Sequence, residues 1–300
     1  MDHPEHSMLI FGGSGRVGQV VCRMARAAGW QVQTPAHAEC DLLEPEAVCA
    51  YVLDHPAQAV VNCAAVSGLE ACADDPLSAH LANAVAPGQM ALACRHTGAR
   101  FIHLSTDYVL DGRRPGLKPE SAKCKPINLY GASKREGELQ VLEALGSSLI
   151  LRVSWVCGNP HRPSFVESVL ARALRGEPLA AIADKYSLPT HAEDIARAIL
   201  TLIPQLHVSG IYHLASTGEP LSWHACATLA LQYAHACGAL PTLPSVTPQK
   251  LAEAAFFRDP RPTHTAMDTA ALRALGLALP SAADALHRAA QAYLAFLRSE

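Results

Sequence analysis

Apolar residues in the first half of the chain come in short runs separated by amphipathic stretches. The runs MLIF, QAVVNCAA, ARFIHLSTDYV and SSLILRVSWV are rich in hydrophobic residues, which is typical of strands buried on both faces, and Gln31–Thr34 predicts a shorter strand. The stretches between them repeat apolar residues at helical spacing. Because strands and helices alternate, the pattern predicts an α/β fold with a doubly wound parallel sheet of the Rossmann type.

The alternation of strands and helices changes after Trp155. Loop sequences, further helices and isolated short strands follow. We therefore expect a dinucleotide-binding domain over residues 8–155 and a smaller C-terminal α/β lobe, mainly substrate-binding, over residues 156–300. The amphipathic stretch at residues 190–206 is expected to pack back onto the first domain.

Composition and charge narrow the class of protein. Of the 300 residues, 50% are hydrophobic and 17% are charged, which is typical of a globular protein with a substantial core. The formal net charge is −3, and no run of Lys and Arg occurs. The sequence therefore indicates neither a nucleic-acid partner nor a membrane-surface partner.

Cysteines, histidines and the N-terminal residues bear on the cellular setting. The 10 cysteines are scattered singly, without a C-x-x-C pair, which is typical of reduced cysteines. The opening stretch MDHPEHS lacks the apolar segment of a secretory signal, and no apolar run is long enough to span a bilayer. We therefore expect a cytoplasmic protein.

The 15 histidines lack metal-binding spacing, so no metal site is expected.

The first apolar run ends in the glycine-rich stretch FGGSGRVG. Gly12, Gly15 and Gly18 follow the spacing G-x-x-G-x-x-G between a predicted strand and a predicted helix. Glycines there allow the backbone to approach a pyrophosphate and leave helix N–H groups facing it. The alternative is a tight strand-to-helix turn without a ligand. The surrounding βαβ pattern favours nucleotide binding.

The end of the second predicted strand bears on the choice of cofactor. The stretch QVQTPAHAECDL has no acid where a carboxylate would bind the adenosine ribose, whereas Arg16 and His37 could each approach a 2′-phosphate. The pattern leaves NADPH and NADH open and favours NADPH. Asp41, further along, is interpreted either as an adenine contact or as the N-cap of the helix near Pro45.

Two later segments carry side chains suited to proton transfer. Thr106 ends the fourth buried strand, at the edge of the sheet where such folds bind ligands, and either bonds a substrate carbonyl or begins a turn. Tyr130 and Lys134, in NLYGASKREGE, would share one helix face. A neighbouring ammonium favours phenolate, so we expect Lys134 to lower the Tyr130 pKa. Tyr130 would protonate a carbonyl oxygen as hydride reaches its carbon.

Taken together, these motifs resemble the extended short-chain dehydrogenase/reductases, and among them the dTDP-4-dehydrorhamnose reductase branch. The resemblance covers nearly the whole chain, from LIFGGSGRVG through VVNCAAVS, STDYVLDG and PINLYGASKREGE to LPTHAEDIARAI and RPTHTAMD. It implies an NAD(P)H-dependent oxidoreductase that reduces the 4-keto group of a nucleotide-activated deoxysugar in dTDP-rhamnose biosynthesis.

The resemblance also implies roles for individual residues. The catalytic trio falls on Thr106, Tyr130 and Lys134. Asn83 falls where related enzymes keep an asparagine that supports the proton relay, although an asparagine on a helix surface is the simpler interpretation. The resemblance implies substrate contacts at Thr106, Asp107 and Trp155, and cofactor contacts at Gly12, Gly15, Arg16, Val17, Gly18, Asp41, Leu42, Ala64, Ala65, Val66, Tyr130 and Lys134.

The chain departs from the family pattern on or near the expected sugar side. Lys185 and Ser187 in ADKYSLPT stand where a glutamine and a glycine are usual. The stretch SGLEACADD, with Glu70, replaces a Thr-x-Val-Asp-x-Ala-Glu pattern, and Cys157 follows SWV where an aromatic residue is common. These changes leave hydride transfer credible and leave the exact sugar open.

Two other functions stay open. One is a non-catalytic, NADP-binding regulatory subunit similar to that of methionine adenosyltransferase, against which the complete Thr106, Tyr130 and Lys134 set argues. The other is a nucleotide-sugar epimerase or dehydratase of the same superfamily. A dehydratase usually needs extra carboxylates, and STDYV offers Asp107 without a neighbouring Glu. The sequence does not decide the oligomeric state, and a homodimer is one option.

Overall fold

The computed structural model describes residues 6–299, so the first five residues of the polar opening stretch lie outside the described residues. Its strands are β1 (Ser7–Phe11), β2 (Gln31–Gln33), β3 (Ala59–Asn62), β4 (Arg100–Thr106), β5 (Leu149–Val153), β6 (Val156–Cys157), β7 (Leu179–Ile182), β8 (Tyr186–Ser187), β9 (Thr190–His191), β10 (Gly210–Leu214), β11 (Leu221–Ser222) and β12 (Val246–Gln249). Its α-helices are α1 (Arg16–Ala27), α2 (Pro45–Asp54), α3 (Leu69–Asp74), α4 (Pro76–His80), α5 (Ala86–Thr97), α6 (Leu129–Ala144), α7 (Phe165–Leu174), α8 (Ala192–Leu202), α9 (Trp223–Ala236), α10 (Ala270–Ala274) and α11 (Ala282–Ser299).

A six-stranded sheet with the order β2-β1-β3-β4-β5-β10 lies at the centre, and all of its neighbouring strands are parallel. The chain passes from β1 to one edge and then returns to β3 on the other side of β1, which creates a crevice at the carboxyl ends of these strands. Every residue of β1, β3 and β4 is buried, as expected for strands covered on both faces. The predicted α/β class with a doubly wound parallel sheet is confirmed.

Two elements from the second half of the chain join this sheet. Strand β10 pairs with β5 and forms one edge, although the sequence analysis placed it in the C-terminal lobe. Helix α8 packs against α1, with Ile195, Ile199 and Leu202 in the same apolar cluster as Val21. The domain boundary at residue 155 stays a prediction, and the central sheet includes a strand from beyond it.

The C-terminal lobe is built around three helices. Helices α7, α9 and α11 enclose an apolar cluster that includes Leu170, Leu231 and Leu286. The lobe also contains three two-stranded pairings, β7 with β12, β6 with β9 and β8 with β11, and strands of each pairing contact these helices. Within residues 6–299, no helix is both long enough and apolar enough to cross a membrane.

Helix α6 lies unusually close to its neighbours. The side chain of Asn128 accepts the N–H of Gly131 at 2.7 Å and so caps the start of the helix. A Cβ atom at Gly131 would lie 2.2 Å from the Tyr108 carbonyl oxygen, and one at Gly137 would lie 2.1 Å from that of Asn83. Only glycine fits at both positions, which explains the two glycines in NLYGASKREGE.

A buried ion pair fixes α6 against the sheet. Glu138 on α6 and Arg152 on β5 are 0% and 1% exposed, and they form two hydrogen bonds of 2.7 and 2.8 Å. Ser105 on β4 adds a third hydrogen bond to Glu138 at 2.6 Å, and Arg135 adds a fourth at 2.7 Å. Burial disfavours the carboxylate, but its hydrogen bonds with Arg152 hold the Glu138 pKa below its usual value.

We expect Arg152→Met to lower the free energy of unfolding by about 3–5 kcal/mol, because it leaves Glu138 buried without its main partner. Urea unfolding followed by circular dichroism measures the change. The matched control is Arg23→Met, which removes an exposed ion pair with Glu193 and should have a much smaller effect. Equal losses in the two variants would contradict this account.

Candidate active site

A cleft of about 750 Å³ opens at the carboxyl ends of β1, β3 and β4. It lies at the crevice where doubly wound folds bind ligands. Its walls include most of the residues that the sequence singled out: Gly12, Gly15, Arg16, Val17, Asp41, Leu42, Ala64, Ala65, Val66, Thr106, Asp107, Tyr130, Lys134 and Trp155.

The glycine loop leaves the N-terminus of α1 open to the cleft. Gly15 is the N-cap of α1, and no side chain caps this helix end. The first turn also contains no acidic residue, so its N–H groups suit a phosphate. Gly12 has a φ of +75°, and a Cβ atom there would lie 2.7 Å from the Ala64 backbone. The loop therefore fits a dinucleotide pyrophosphate.

Gly18 has a packing role instead of the expected cofactor contact. It is absent from the residues that line the cleft, and a Cβ atom there would lie 2.1 Å from the Gly12 carbonyl oxygen. The third glycine therefore allows α1 to approach the loop closely. Spacing alone could not separate this role from ligand contact, because both roles require glycine.

The two residues proposed to meet a 2′-phosphate differ in their surroundings. The Arg16 guanidinium donates to the carbonyl oxygens of Arg162 and Pro163, each at 2.9 Å, and so ties the glycine loop to the second lobe. The His37 side chain is 82% exposed, with Nε2 3.5 Å from the Asp41 carboxylate. Of the two, His37 is the freer to meet a ligand at the rim of the cleft.

Asp41 is not the cap of α2. Its Oδ1 accepts the N–H of Leu43 at 2.9 Å, whereas the N-cap position of α2 belongs to Glu44. The N-cap interpretation is therefore wrong. Asp41 and Leu42 both line the cleft, which is where an adenine contact requires them.

Thr106, Tyr130 and Lys134 converge on the inner end of the cleft. Burial raises the Tyr130 pKa to about 12, and a hydrogen bond with Thr106 acts in the opposite direction. The expected lowering of this pKa by Lys134 is therefore not seen. The Lys134 amine instead lies 2.7 Å from the Leu104 carbonyl oxygen and 3.1 Å from His103 Nε2. Burial lowers the pKa of Lys134 to about 8.

Asn83 is fully buried, so its interpretation as a helix-surface residue is wrong. It lies in a π-helical turn, Leu81–Val85, between α4 and α5. Its amide exchanges two hydrogen bonds of 2.9 Å with the backbone of Val66 and donates to Ser133 Oγ at 3.0 Å. Asn83 thus ties the cleft-lining loop after β3 to α6.

Asp107 is enclosed by hydroxyl groups. Oδ2 accepts hydrogen bonds from Ser154 at 3.0 Å, from Ser187 at 3.2 Å and from Thr265, and Oδ1 lies 3.3 Å from the Thr106 hydroxyl. Burial raises the Asp107 pKa, and the Lys185 ammonium and the hydrogen bonds from the Thr265, Ser154 and Ser187 hydroxyls oppose that effect. Asp107 lines the cleft, but its oxygens are already engaged, so it positions the cleft wall and Thr106.

Lys185 belongs to the site, although the sequence showed it only as a departure from the family pattern. It is fully buried and donates to the Pro262 carbonyl oxygen at 2.7 Å. Its ammonium lies 4.8 Å from the centre of the Tyr108 ring and 5.3 Å from that of Trp155, within range of cation–π attraction. Burial lowers its pKa to about 8, and Asp107 opposes this shift.

Trp155 combines an unusual backbone conformation with an unpaired donor. Its φ of +38° is rare for a bulky residue and indicates a constraint imposed by the surrounding fold. The indole Nε1 is buried, and no acceptor for it occurs among residues 6–299. Buried donors are normally paired, so this N–H is an exception among the described residues.

The other two departures lie in different places. Glu70 on α3 pairs with Arg261 at 2.9 Å and joins the two lobes beside the cleft. Cys157 packs in the apolar core of the C-terminal lobe, and its position on or near the sugar side stays a prediction. In the described part of the chain, no group of three or more His, Cys, Asp or Glu side chains is placed to hold a metal ion.

Comparison with known proteins agrees with this geometry. Residues 6–295 match the family model described as the RmlD substrate binding domain. The chain is 36% identical over 228 residues to a dTDP-4-dehydrorhamnose reductase of Burkholderia thailandensis, covering 73% of this chain and 76% of that protein. It is 29% identical to a spore coat polysaccharide biosynthesis protein of Bacillus subtilis, covering 90% and 92% of the two chains.

Solved structures of similar proteins also resemble this chain along nearly its whole length. The crystal structure of a Bacillus anthracis dTDP-4-dehydrorhamnose reductase in complex with NADP superposes with a TM-score of 0.87 and 27% identity, covering 94% of this chain and 98% of that one. A Thermus thermophilus UDP-glucose 4-epimerase, at 21% identity and a TM-score of 0.76 over 96% and 99% of the chains, shares the fold. The resemblance found in the sequence is therefore confirmed, and the chain belongs to the RmlD substrate binding domain family.

Proposed function

We propose that this protein is an NADPH-dependent reductase of a 4-keto group on a nucleotide-activated deoxysugar, with dTDP-4-dehydrorhamnose as the first candidate. One observation carries the proposal. A single cleft contains both an uncapped glycine loop and the group Thr106, Tyr130 and Lys134. Family membership and the names of the relatives support an oxidoreductase of dTDP-rhamnose biosynthesis.

The cleft has the features that a nicotinamide dinucleotide requires. The glycine loop and the N-terminus of α1 would hold the pyrophosphate, Asp41 and Leu42 the adenine side, and Ala64–Val66 the nicotinamide side. The Bacillus anthracis relative was solved with NADP, which agrees with the absence of a ribose-binding acid after β2. When bound, the cofactor supplies the hydride.

The three polar residues of the inner cleft have complementary roles. Because the Tyr130 pKa is about 12, the phenol is protonated at neutral pH and can donate its proton to the developing alkoxide oxygen. The hydroxyl of Thr106 would orient the carbonyl beside Tyr130. Lys134 would hold the nicotinamide ribose, since its side chain lines the same cleft.

The sugar would lie against the wall that Tyr108, Trp155 and Asp107 form. The unpaired indole N–H of Trp155 offers a hydrogen bond to a sugar or phosphate oxygen. Lys185 lies behind this wall and holds the Tyr108 and Trp155 rings. The residues that support this wall thus differ from the family pattern at Lys185 and Ser187. A substrate other than dTDP-4-dehydrorhamnose would be selected at this sugar subsite.

We expect Tyr130→Phe to retain NADPH affinity and to lower the turnover number by about 10²–10⁴, because it removes only the proton donor. Fluorescence titration measures binding, and loss of nicotinamide absorbance measures turnover. Tyr51→Phe, on α2 away from the cleft, is the matched control and should behave as the wild type. Undiminished turnover of Tyr130→Phe would exclude Tyr130 as the donor.

NADPH should bind more tightly than NADH, and His37→Glu should reduce this difference. A carboxylate at the exposed position 37 would repel a 2′-phosphate, so we expect the NADPH dissociation constant to rise about three- to tenfold and that of NADH to change little. Parallel titrations with both cofactors test this. Equal effects on both cofactors would show that His37 does not meet the phosphate.

A screen of 4-keto nucleotide sugars with both cofactors tests the reaction itself. We expect oxidation of NADPH with dTDP-4-dehydrorhamnose or a close 4-keto relative, and formation of the corresponding alcohol by mass spectrometry. Absence of turnover on every sugar, together with stoichiometric capture of a partner enzyme, would favour the regulatory-subunit alternative. Product epimerised without net cofactor oxidation would favour an epimerase.

A further inference from the structure

Three polar side chains that are all fully or almost fully buried form a chain beneath the cleft. They are Asn62 at the end of β3, His103 on β4 and Lys134 on α6. Asn62 Nδ2 lies 3.1 Å from His103 Nδ1, and His103 Nε2 lies 3.1 Å from Lys134 Nζ. Both contacts join two nitrogen atoms, so the position of each proton decides whether a hydrogen bond exists.

The orientation of the Asn62 amide is fixed by the backbone. Asn62 Oδ1 accepts the N–H of Ala64 at 2.9 Å. Because a backbone N–H can only donate, the amide oxygen must face Ala64 and the NH₂ group must face His103. A neutral imidazole has one donor nitrogen and one acceptor nitrogen. Nδ1 of His103 is therefore the acceptor.

The proton of His103 consequently lies on Nε2, the nitrogen that faces Lys134. Burial holds the pKa of His103 well below its usual value, so the ring is neutral. An N–H on Nε2 needs an acceptor, and Lys134 Nζ has a lone pair only as an uncharged amine. The amine can still donate one of its hydrogens to the Leu104 carbonyl oxygen at 2.7 Å.

We propose that His103 is a positioning residue for Lys134. Fixed by Asn62 as the Nε2–H tautomer, it donates to Nζ and favours the uncharged form of the amine. The alternative arrangement, an ammonium beside the other tautomer, would place the Nδ1–H of His103 against the NH₂ of Asn62 and lose that hydrogen bond. The effect of His103 on cofactor binding rests on the proposed function of Lys134, whereas the tautomer of His103 does not.

The other titratable groups near Lys134 do not supply this effect. Glu138 on α6 favours the ammonium and is engaged with Arg152, and burial keeps the Cys63 thiol neutral. Tyr130, on the same helix face, is protonated at neutral pH. Burial lowers the pKa of Lys134 to about 8, so the amine can lose its proton close to neutral pH.

This chain connects the wall of the cleft to the charge on Lys134. The same Asn62 amide that sets the tautomer of His103 also holds the N–H of Ala64, where the loop lining the cleft begins. If the Ala64 N–H left Asn62, the Asn62 amide could turn and place its oxygen against His103 Nδ1. His103 could then carry its proton on Nδ1, and its Nε2 could accept a hydrogen bond from a Lys134 ammonium. The protonation of Lys134 therefore depends on a contact of the loop.

The tautomer is tested directly by ¹⁵N NMR of the wild-type protein labelled at histidine. At about pH 9, above the Lys134 pKa of about 8, the amine is uncharged and we expect His103 to carry its proton on Nε2. His213 is the internal control, because its Nδ1 faces the Asp268 carbonyl oxygen at 3.1 Å and its Nε2 faces the Arg152 guanidinium at 3.3 Å, which require a proton on Nδ1. Through-bond correlations to the backbone assign both rings. A proton on Nδ1 of His103 would overturn the proposal.

The effect on Lys134 is tested by the pH dependence of NADPH affinity. As pH rises through about 8, loss of the ammonium should weaken binding to wild type by up to tenfold per pH unit. In His103→Gln the amide oxygen can accept from an ammonium, so the weakening should begin at least one pH unit higher. His55→Gln, which lies outside the cleft, should match the wild type.

Coincident midpoints in the wild type and His103→Gln would overturn the proposed effect of His103. Absence of NADPH binding at every pH would instead count against the proposed function, and the NMR experiment would still decide the tautomer. The two failures are therefore distinguishable.

Discussion

The buried ion pair between Glu138 and Arg152 is the interaction on which the active site depends. It joins α6, which carries Tyr130 and Lys134, to β5, and the Ser105 hydroxyl extends it to β4. Two buried charges are tolerated there because every oxygen of the carboxylate has a donor. The helix that carries Tyr130 is thereby held against the strands that lie beside Thr106.

Other polar side chains at the cleft are also buried, and each of them has hydrogen-bond partners. Asp107 is surrounded by hydroxyls, Lys185 lies among aromatic rings and a carbonyl, and Lys134 faces a carbonyl and an imidazole. Burial raises the pKa of Asp107 and lowers the pKa of both lysines. Small rearrangements of these partners would therefore change the charge in the cleft.

Much of the site could be predicted from sequence because local patterns encode it. The glycine loop, the strand end at Thr106 and the spacing of Tyr130 and Lys134 each follow from neighbouring residues, and all of them line one cleft. The exceptions involve partners that are distant in the chain. Asn83 is on the cleft side because it bonds Val66, and Asp107 is engaged because Thr265 and Ser187 reach it. No local pattern predicts such pairings.

The sequence by itself determined the class of fold, the parallel sheet and the edge of the sheet at which the cleft lies. Hydrophobic periodicity and glycine spacing indicate these features because each pattern involves only residues close together in the chain. Tertiary structure decided which strand closes the sheet, since β10 comes from beyond the expected domain boundary. Tertiary structure also decided the protonation states of Tyr130 and Lys134 in NLYGASKREGE. Lys134 was expected to act on Tyr130, its neighbour on the helix, but its amine meets His103 and Leu104 on β4. The charge on a buried amine depends on what packs against it, and packing brings together residues that the sequence keeps apart.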